Sequence, residues 1–298
     1  MDTVLTLVAA ADGGLTPAIV AEVRAALNGG SAAAVEPAWL AEGRAADIGL
    51  TGADPAAVEA AARAALGDAE IDVHGQAFAG RRKRLLLADM DSTIVTSETL
   101  DELAAFAGLK DEIAVITARA MNGELDFEEA LKERVGKLKG LSEETLAQAY
   151  ADVALTPGAE TLVRTMAAEG ARCVLISGGF KYFTSRVAAR CGFHAEFSND
   201  FIIEAGELTG RVVEPILTKD VKLDTLIRER AESGLADHET LAMGDGANDL
   251  PMIQAAGLGI AFHGKPVVAA AAPARIDHGD LTAALYFQGY RREEFVGI

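Results

Sequence analysis

Hydrophobic and polar positions along the chain fall into blocks that predict two successive units. In residues 1–78, short apolar runs predict strands, and two alanine-rich blocks predict helices. Each helix has a capping residue followed by proline, at Thr16-Pro17 and at Asp54-Pro55, and glycine follows its last turn. The strand candidates are TVLTLVAA, AAVEPAWLA, AADIGLTG and EIDVHGQ. The resulting order, βαββαβ, predicts an α+β ferredoxin-like unit.

This first unit resembles the small ACT-type domains, many of which sense amino acids. The resemblance concerns the order of the elements and no particular residue. A second interpretation, in which residues 1–78 serve only for packing or dimerisation, is equally compatible with the pattern. Its role, including whether it binds serine, therefore stays open at this point.

From residue 85 onwards the pattern changes. The run LLLAD has no alternation, which is typical of a strand buried on both faces of a parallel sheet. A helical stretch follows over about residues 98–150, and strands then alternate with helices up to LGIAF. This alternation predicts an α/β doubly wound, Rossmann-like domain over residues 79–298, in which the chemistry lies beyond the carboxyl ends of the strands.

Composition narrows the function classes. The chain has 298 residues and a net charge of −18, which argues against a nucleic-acid partner because phosphate backbones require clustered lysine and arginine. The amino terminus has no basic leader, and no apolar run reaches the 18–20 residues or so that a membrane span needs. A soluble, cytoplasmic protein is therefore expected.

Two further features have simple interpretations. The run GRRKR, residues 80–84, is predicted to be a solvated linker between the two units. Cys173 and Cys191 lack the spacing of a disulfide framework or a zinc site, and they are predicted to be structural.

Acidic residues follow two of the predicted strands. Asp89 and Asp91 are two positions apart, so an extended exit from the strand directs both carboxylates into one crevice. Asp245 and Asp249 lie in the second segment, MGDGAND. Carboxylates that converge without cysteine or histidine form a hard oxygen site suited to Mg²⁺. Taken singly, each segment could instead be a turn or a helix cap.

Candidate anion-binding residues come from two other segments. LISGGF supplies Ser177, Gly178 and a predicted turn into a helix, whose free N–H groups could hold phosphate. Lys222 lies near the start of a helix, where a surface position is the simpler interpretation. Together with the acids, these residues indicate Mg²⁺-dependent phosphoryl transfer, and the chain contains no P-loop motif.

These motifs resemble those of a known family. DMDST, residues 89–93, is similar to the DxDx[T/V] motif of the haloacid dehalogenase superfamily, and Ser177, Lys222 and GDGAND resemble its other motifs in the same order. Within the superfamily, the segments DMDSTIVTSETLDELA, MNGELDFEEALKERV, ISGGF, LTG and GDGANDLPMI are most similar to the phosphoserine phosphatases. The resemblance covers about residues 82–292 and leaves out the first unit.

The resemblance implies a role for each motif residue. Asp89 is then the nucleophile, and Asp91 is the proton donor and acceptor. The metal ligands are the Asp89 carboxylate, the Asp91 backbone carbonyl and Asp245, with Asp249 beside them. The remaining residues implied to bind substrate are Ser177, Gly178, Lys222 and Asn248 around the phosphate, and Glu98 and Arg134 around the serine moiety. A helical cap insertion at about residues 99–155 contributes Met121 and Phe127 as an apolar lid.

The implied reaction is hydrolysis of O-phospho-L-serine to L-serine and phosphate through an aspartyl-phosphate, the last step of serine biosynthesis. One alternative keeps the site but changes the phosphomonoester or the phosphoryl acceptor. An alternative of another class is a receiver-like signalling domain, against which Asp91, GDGAND and the cap all argue. The sequence leaves a homodimer open.

Overall fold

The computed structural model describes residues 1–28, 34–121 and 124–297, without the side chains of residues 120, 121 and 219. The described residues form a small antiparallel sheet, a larger parallel sheet and a two-stranded hairpin. A helical layer covers the carboxyl-terminal edge of the parallel sheet. This arrangement confirms the predicted α/β class with a small α+β unit in front of it.

The first unit has the predicted βαββαβ order. Its elements are β1 (Thr3–Ala9), α1 (Pro17–Leu27), β2 (Ala38–Ala41), β3 (Ala45–Leu50), α2 (Pro55–Leu66) and β4 (Ile71–Ala77). The strands lie in the order β2-β3-β1-β4, and every neighbouring pair is antiparallel. Both predicted caps form, since Thr16 and Asp54 accept the N–H groups of Ile19 and Ala57 at 3.3 and 3.1 Å. The topology is ferredoxin-like, and the resemblance to ACT domains stays a prediction.

The parallel sheet is built around a central strand. Its strands are β5 (Leu85–Asp89), β6 (Arg172–Phe180), β7 (Ala195–Asn199), β10 (Thr240–Gly244), β11 (Leu258–Phe262) and β12 (Ala274–Ile276). The order is β12-β11-β10-β5-β6-β7, and all of the paired strands are parallel. The apolar residues 85–88 of β5 are fully buried, which confirms the prediction from LLLAD. The chain adds strands first on one side of β5 and later on the other, so β5 lies at the topological switch point.

The predicted helical stretch consists of four short helices rather than one long one. They are α3 (Thr99–Phe106), α4 (Lys110–Met121), α5 (Phe127–Lys137) and α6 (Glu143–Ala151). Gly108 and Gly140 adopt left-handed φ values of 72° and 84° at two of the breaks, which ends a helix at low cost for glycine alone. The hairpin of β8 (Phe201–Glu204) and β9 (Glu207–Val212) packs on α5.

Six further helices complete the second unit. They are α7 (Ala159–Ala168), α8 (Lys181–Cys191), α9 (Lys219–Glu232), α10 (Leu250–Ala255), α11 (Pro266–Ala271) and α12 (Ala283–Phe287). The pattern predicted α8, α9 and α10, but it did not predict α7, α11, β12 or α12. The last three of these elements have only three to six residues each, which is too short for a helical or strand period to be visible.

The basic run at residues 80–84 is solvated only in part: Gly80, Arg82 and Arg84 are exposed, and the prediction was wrong for Arg81 and Lys83. Lys83 is only 6% exposed, and its Nζ donates to the backbone oxygens of Gly80 and His238 at 3.0 and 2.8 Å. Arg81 pairs with Asp47 of the first unit at 2.7 Å. Burial lowers the pKa of Lys83. Through Arg81 and Lys83, the run contacts both units and stabilises their contact.

The two cysteines behave as predicted. Cys173 and Cys191 are buried and unpaired, and burial raises the pKa of each thiol to about 12. Among the described helices, none combines the length and the apolar character that crossing a membrane demands.

Asp72 on β4 joins the two units. Its buried carboxylate accepts the backbone N–H groups of Asp277, His278 and Gly279 at 2.7, 3.1 and 2.7 Å. Burial raises the pKa of Asp72, although these three donors oppose the increase. One short side chain of the first unit therefore fixes the loop that follows β12.

We expect Asp72→Asn to lower the free energy of unfolding by about 2 to 3 kcal/mol, because an amide group turned towards these donors leaves buried N–H groups unpaired. Urea unfolding followed by circular dichroism measures this loss. Asp68→Asn, at an exposed position of the same unit, is the matched control and should change little. Equal stabilities for the two variants would contradict a joining role for Asp72.

Candidate active site

A cavity of about 370 Å³ opens at the carboxyl ends of β5, β6 and β10. Its walls combine strand ends of the parallel sheet with residues of α3 and α5 from the cap. Lining residues from the predicted set are Asp89, Asp91, Glu98, Phe127, Arg134, Gly178, Asp245 and Asn248. Residues that are far apart in sequence are therefore brought together at the edge where a doubly wound sheet places its ligands.

Asp89 ends the central strand and is 5% exposed. Burial raises the pKa of its carboxyl well above the ordinary value, and the neighbouring charge of Asp249 raises it further. Lys222 opposes this increase, since its Nζ lies 2.7 Å from Asp89 Oδ1. Asp89 is thus a strongly desolvated carboxylate with a single close cation among the described residues.

Lys222 is a buried lysine rather than a surface one. It is 3% exposed, and its Nζ bridges Asp89 at 2.7 Å and Asp249 at 2.5 Å. Burial alone would lower the pKa of this ammonium group, but the two carboxylates raise it above its usual value. Lys222 therefore stays charged beside the Asp89 and Asp249 carboxylates.

Three buried carboxylates form a cluster that could hold a cation. One oxygen each from Asp89, Asp245 and Asp249 lies within 4.8 Å of the others. Among the described side chains around the cavity there are five carboxylates (Asp89, Asp91, Glu98, Asp245 and Asp249) and three cations (Arg134, Lys222 and Lys265). These groups have a formal net charge of −2, and the carboxylate oxygens are hard donors. A divalent cation such as Mg²⁺ is suited to such a site and would neutralise this charge.

Asp91 is held in place by hydrogen bonds to its side chain. Its Oδ1 accepts the backbone N–H of Thr99 at 2.8 Å and the Thr99 hydroxyl at 2.7 Å. Its Oδ2 accepts the hydroxyl of Ser177 at 2.8 Å. Asp91 is thus oriented by the first residue of the cap and by the end of β6.

The turn after β5 directs the chain from the sheet to the cap. Ser92 within it has a left-handed φ of 55°, and the Val95 N–H closes the turn on the Met90 carbonyl at 2.9 Å. The Ser92 hydroxyl donates to Glu98 at 3.0 Å. Burial and the nearby Asp91 charge raise the pKa of Glu98, which lines the cavity.

The glycines after Ser177 are extended, so the predicted turn into the helix is wrong. β6 continues through Gly178 and Gly179 to Phe180, and its pairing with β7 shifts register there. A Cβ atom on Gly179 would lie 3.0 Å from Asp91 Oδ2 and 2.9 Å from Ser177 Oγ. Glycine at this position therefore leaves room for the Asp91 carboxylate.

A small recess adjoins the cavity below the cap. Ser177, Gly178, Lys222 and Asn248 line it, and the ring of Phe127 lies over Gly178. The four residues that the sequence resemblance assigned to the phosphate are therefore neighbours in the fold.

Arg134 of α5 faces the cavity with an incomplete set of partners. Its Nε is buried and has no hydrogen-bond acceptor within the described residues. Burial lowers the pKa of its guanidinium, while the charges of Asp101 and Glu98 oppose the decrease. The Met121 side chain, which was predicted to form part of the lid, lies outside the described residues.

Two cavity residues with polar side chains were not identified from the sequence. Thr99 is 1% exposed and orients Asp91, and Lys265 lies 3.3 Å from Asp245 Oδ2. Lys265 follows the end of β11, so the rule that chemistry lies beyond strand ends could have identified it. A threonine at a helix start looks like an ordinary cap, and no sequence signal singles out Thr99.

Comparison with known proteins agrees with this geometry. A model of the haloacid dehalogenase-like hydrolase family matches residues 86–254. A phosphoserine phosphatase of Streptomyces coelicolor is 43% identical over 231 residues, which cover 78% of this chain and 56% of the relative. A phosphoserine phosphatase of Streptococcus thermophilus is 47% identical over 199 residues, which cover 67% of this chain and 93% of the relative.

A solved structure extends the similarity to the first unit. The probable phosphoserine phosphatase of Vibrio cholerae matches with a TM-score of 0.81 and 32% identity, over 98% of this chain and 88% of that one. Lengths differ among the relatives, and the chain spans little more than half of the Streptomyces coelicolor and Archaeoglobus fulgidus enzymes. From the parallel sheet, the acidic cluster at its edge and the match over residues 86–254, we conclude that this chain belongs to the haloacid dehalogenase-like hydrolase family.

Proposed function

We propose that this chain is a Mg²⁺-dependent phosphatase that hydrolyses O-phospho-L-serine to L-serine and phosphate. The observation that carries the proposal is that one cavity contains the acidic cluster together with a cation and a carboxylate suited to the two charged groups of serine. Arg134 and Glu98 line the same cavity as Asp89, Asp91 and Asp245. Relatives named phosphoserine phosphatase, at 40–47% identity, support this substrate.

Asp89 is proposed as the nucleophile. Its desolvated carboxylate attacks phosphorus in line with the seryl oxygen and forms an aspartyl-phosphate, which divides one difficult step into two. Asp91 donates a proton to the departing seryl oxygen and later accepts a proton from the water that hydrolyses the intermediate. Its hydrogen bonds to Thr99 and Ser177 keep this carboxylate in one orientation.

The phosphoryl oxygens are proposed to bind in the recess lined by Ser177, Gly178, Lys222 and Asn248. Lys222 supplies a fixed positive charge where negative charge accumulates in phosphoryl transfer. Ser177 currently donates to Asp91, so its hydroxyl would turn towards the phosphate when substrate binds.

The metal is proposed to be held by Asp89, Asp245 and the backbone carbonyl of Asp91. Asp249 is placed beside them, because its two oxygens already accept Lys222 at 2.5 Å and the Gly246 N–H at 3.0 Å. When bound, Mg²⁺ neutralises negative charge on the phosphoryl group and the carboxylates.

The serine moiety is proposed to bind under the cap. Its carboxylate would pair with Arg134, whose buried Nε lacks an acceptor in the described part of the chain, and its ammonium group would pair with Glu98. Phe127, which lies against Gly178, would exclude water above the phosphate, and Met121 is assigned to the same lid from the sequence alone.

A panel of phosphomonoesters tests this function. Phosphate release should be fastest from O-phospho-L-serine, slower from O-phospho-L-threonine and much slower from sugar phosphates. A better rate with another ester would support the alternative of a related phosphatase or phosphotransferase. Lasting phosphorylation without phosphate release would support the receiver-like alternative.

We expect Arg134→Ala to lower kcat/KM for O-phospho-L-serine by roughly 10- to 100-fold, because a charge-assisted pair with the substrate carboxylate is lost. The rate with p-nitrophenyl phosphate, which has no carboxylate, should change less than about threefold. Arg119→Ala, a cap arginine that pairs with Glu133, is the matched control. Equal losses with both substrates would show that Arg134 does not contact the substrate carboxylate.

Three further assignments remain proposals. The division into residues 1–78 and 79–298, with the cap at about 99–155, agrees with the two sheets and the four cap helices. Cytoplasmic location and a homodimer are kept as predictions from the sequence, and size-exclusion chromatography with light scattering tests the second.

A further inference from the structure

Lys265 lies in the wall of the candidate active site and has no role in the proposed reaction. It follows β11 and lines the same cavity as Asp89 and Asp245. Its Nζ lies 3.3 Å from Asp245 Oδ2, and this is the one ion pair that Asp245 makes among the described side chains. Lys265 therefore contacts one of the proposed metal ligands.

The backbone of Lys265 is fixed beside Asp245. Its N–H donates to the Asp245 carbonyl at 2.9 Å, and its own carbonyl accepts the N–H groups of Val268 and Ala269 at 2.8 and 3.0 Å. Because both backbone groups are bonded, the side chain starts from a defined place next to the end of β10. Its ammonium group therefore stays within reach of the Asp245 carboxylate.

The loop that leads to Lys265 contains a strained residue. His263 has a left-handed φ of 43°, which is unfavourable for a residue other than glycine. Its N–H donates to the Ile276 carbonyl at 2.8 Å, and its ring Nε2 lies 2.9 Å from the Gly279 oxygen. These contacts hold the strained conformation, and such strain is concentrated at functional sites. The strain therefore directs attention to the cavity residue that this loop places, Lys265.

The two lysines of the acidic cluster differ in burial. The Lys222 side chain is 4% exposed and bridges Asp89 and Asp249, whereas the Lys265 side chain is 63% exposed and pairs with Asp245 alone. An exposed ion pair contributes little to stability, but a buried carboxylate that loses its cation is costly. Lys265 can therefore leave its partner at low cost, and Lys222 cannot.

A divalent cation at the acidic cluster would meet Lys265 at Asp245. One oxygen of this carboxylate lies within 4.8 Å of an oxygen of Asp89 and of Asp249. An oxygen that accepts an ammonium group is a weaker metal ligand, and the ammonium charge repels a nearby doubly charged ion. Lys265 therefore opposes metal binding whether it leaves Asp245 or stays beside it.

We propose that Lys265 is a positioning residue that competes with Mg²⁺ for the Asp245 carboxylate and thereby sets the affinity of the metal site. Without the metal, Lys265 orients Asp245 and neutralises part of the cluster. When Mg²⁺ binds, Asp245 exchanges the ammonium group for the metal. The inference rests on the metal site of the proposed function, and Lys265 lies outside the motifs that carry the family resemblance.

Isothermal titration calorimetry with Mg²⁺, on the full chain and without substrate, tests the proposal. Lys265→Met removes the charge and should lower the Kd of Mg²⁺ by about three- to tenfold. Lys265→Arg keeps the charge and should not lower the Kd. Lys110→Met, at an exposed position of α4, is the control with the same change in charge and should bind as the wild type does. An unchanged or higher Kd for Lys265→Met would overturn the competition.

Salt separates an effect of charge from an effect of structure. The titrations are repeated at about 1 M NaCl, where the Debye length is about 3 Å instead of about 10 Å at 0.1 M. The difference in Kd between Lys265→Met and the wild type should then decrease by at least about half. A difference that salt leaves unchanged would contradict competition between charges. A wild type that binds no Mg²⁺ at all would overturn the proposed metal site itself, whereas equal binding by the wild type and Lys265→Met would overturn only the role of Lys265.

Discussion

Replacing Asp89 with asparagine is expected to abolish turnover while leaving the fold at least as stable as before. An amide cannot act as the nucleophile, so kcat should fall by roughly 10⁴-fold or more. Stability should not fall with it, because the charged form of Asp89 is disfavoured by burial and by the charge of Asp249. The variant removes that unfavourable charge and keeps the shape of the side chain.

Phosphate release under saturating substrate measures the loss of activity, and thermal unfolding measures the stability. Asp111→Asn, at an exposed position in the first turn of α4, is the matched control and should behave as the wild type. Residual activity of Asp89→Asn within about 100-fold of the wild type would exclude Asp89 as the nucleophile.

Removal of divalent cations is expected to abolish activity, and Mg²⁺ should restore it. Asp89, Asp245 and Asp249 form a cluster of three carboxylates, and the described cations that pair with it are two, Lys222 and Lys265. Mg²⁺ should therefore also raise the thermal unfolding midpoint, by an amount equivalent to about 2.7 kcal/mol at 100 times its Kd. Asp245→Asn should weaken both responses, and Asp111→Asn should weaken neither.

The response to Mg²⁺ should depend on pH in a defined direction. The folded-state pKa of Asp89 lies above its value in an unfolded chain, so its contribution to stability is present at acidic pH and is lost as the pH rises through that raised pKa. Mg²⁺ binds the deprotonated form, so binding should release protons and weaken as the pH falls. Activity and stability that are unaffected by EDTA would contradict a metal site here.

Much of the candidate site could be predicted because its residues follow a simple rule of parallel sheets. Asp89, Ser177 and Asp245 end β5, β6 and β10, and parallel strands that are neighbours bring their carboxyl ends together. Lys222 was different, since nothing in its helix distinguishes a buried lysine from a surface one. Only the family resemblance predicted that Lys222 belongs to the site.

The partners of charged residues could not be predicted from the sequence. Asp72 caps a loop 205 residues further along the chain, and the basic run at residues 80–84 pairs with acids and carbonyls of both units. The local sequence shows that a residue is charged, but it does not show which distant group neutralises that charge. For this reason the basic run was expected to be solvated, although Lys83 and Arg81 are largely buried.

The extended backbone of Gly178 and Gly179 was not predicted, for a related reason. Two glycines in sequence are typical of a turn, because glycine tolerates left-handed backbone angles. Here glycine is needed for space, since a side chain on Gly179 would collide with the Asp91 carboxylate. The carboxylate belongs to the turn after β5, 86 residues before Ser177 in the sequence, so the restriction is visible only in the fold.

The most direct test of the central claim is a rapid acid quench of the enzyme with O-phospho-L-serine and Mg²⁺, followed by peptide mass spectrometry. We predict one phosphorylated peptide, the one that contains Asp89, which appears within a turnover and disappears when the substrate is exhausted. Phosphate on any other residue, or full turnover with no phosphorylated peptide during the reaction, would contradict the proposal that Asp89 forms a covalent intermediate with this substrate.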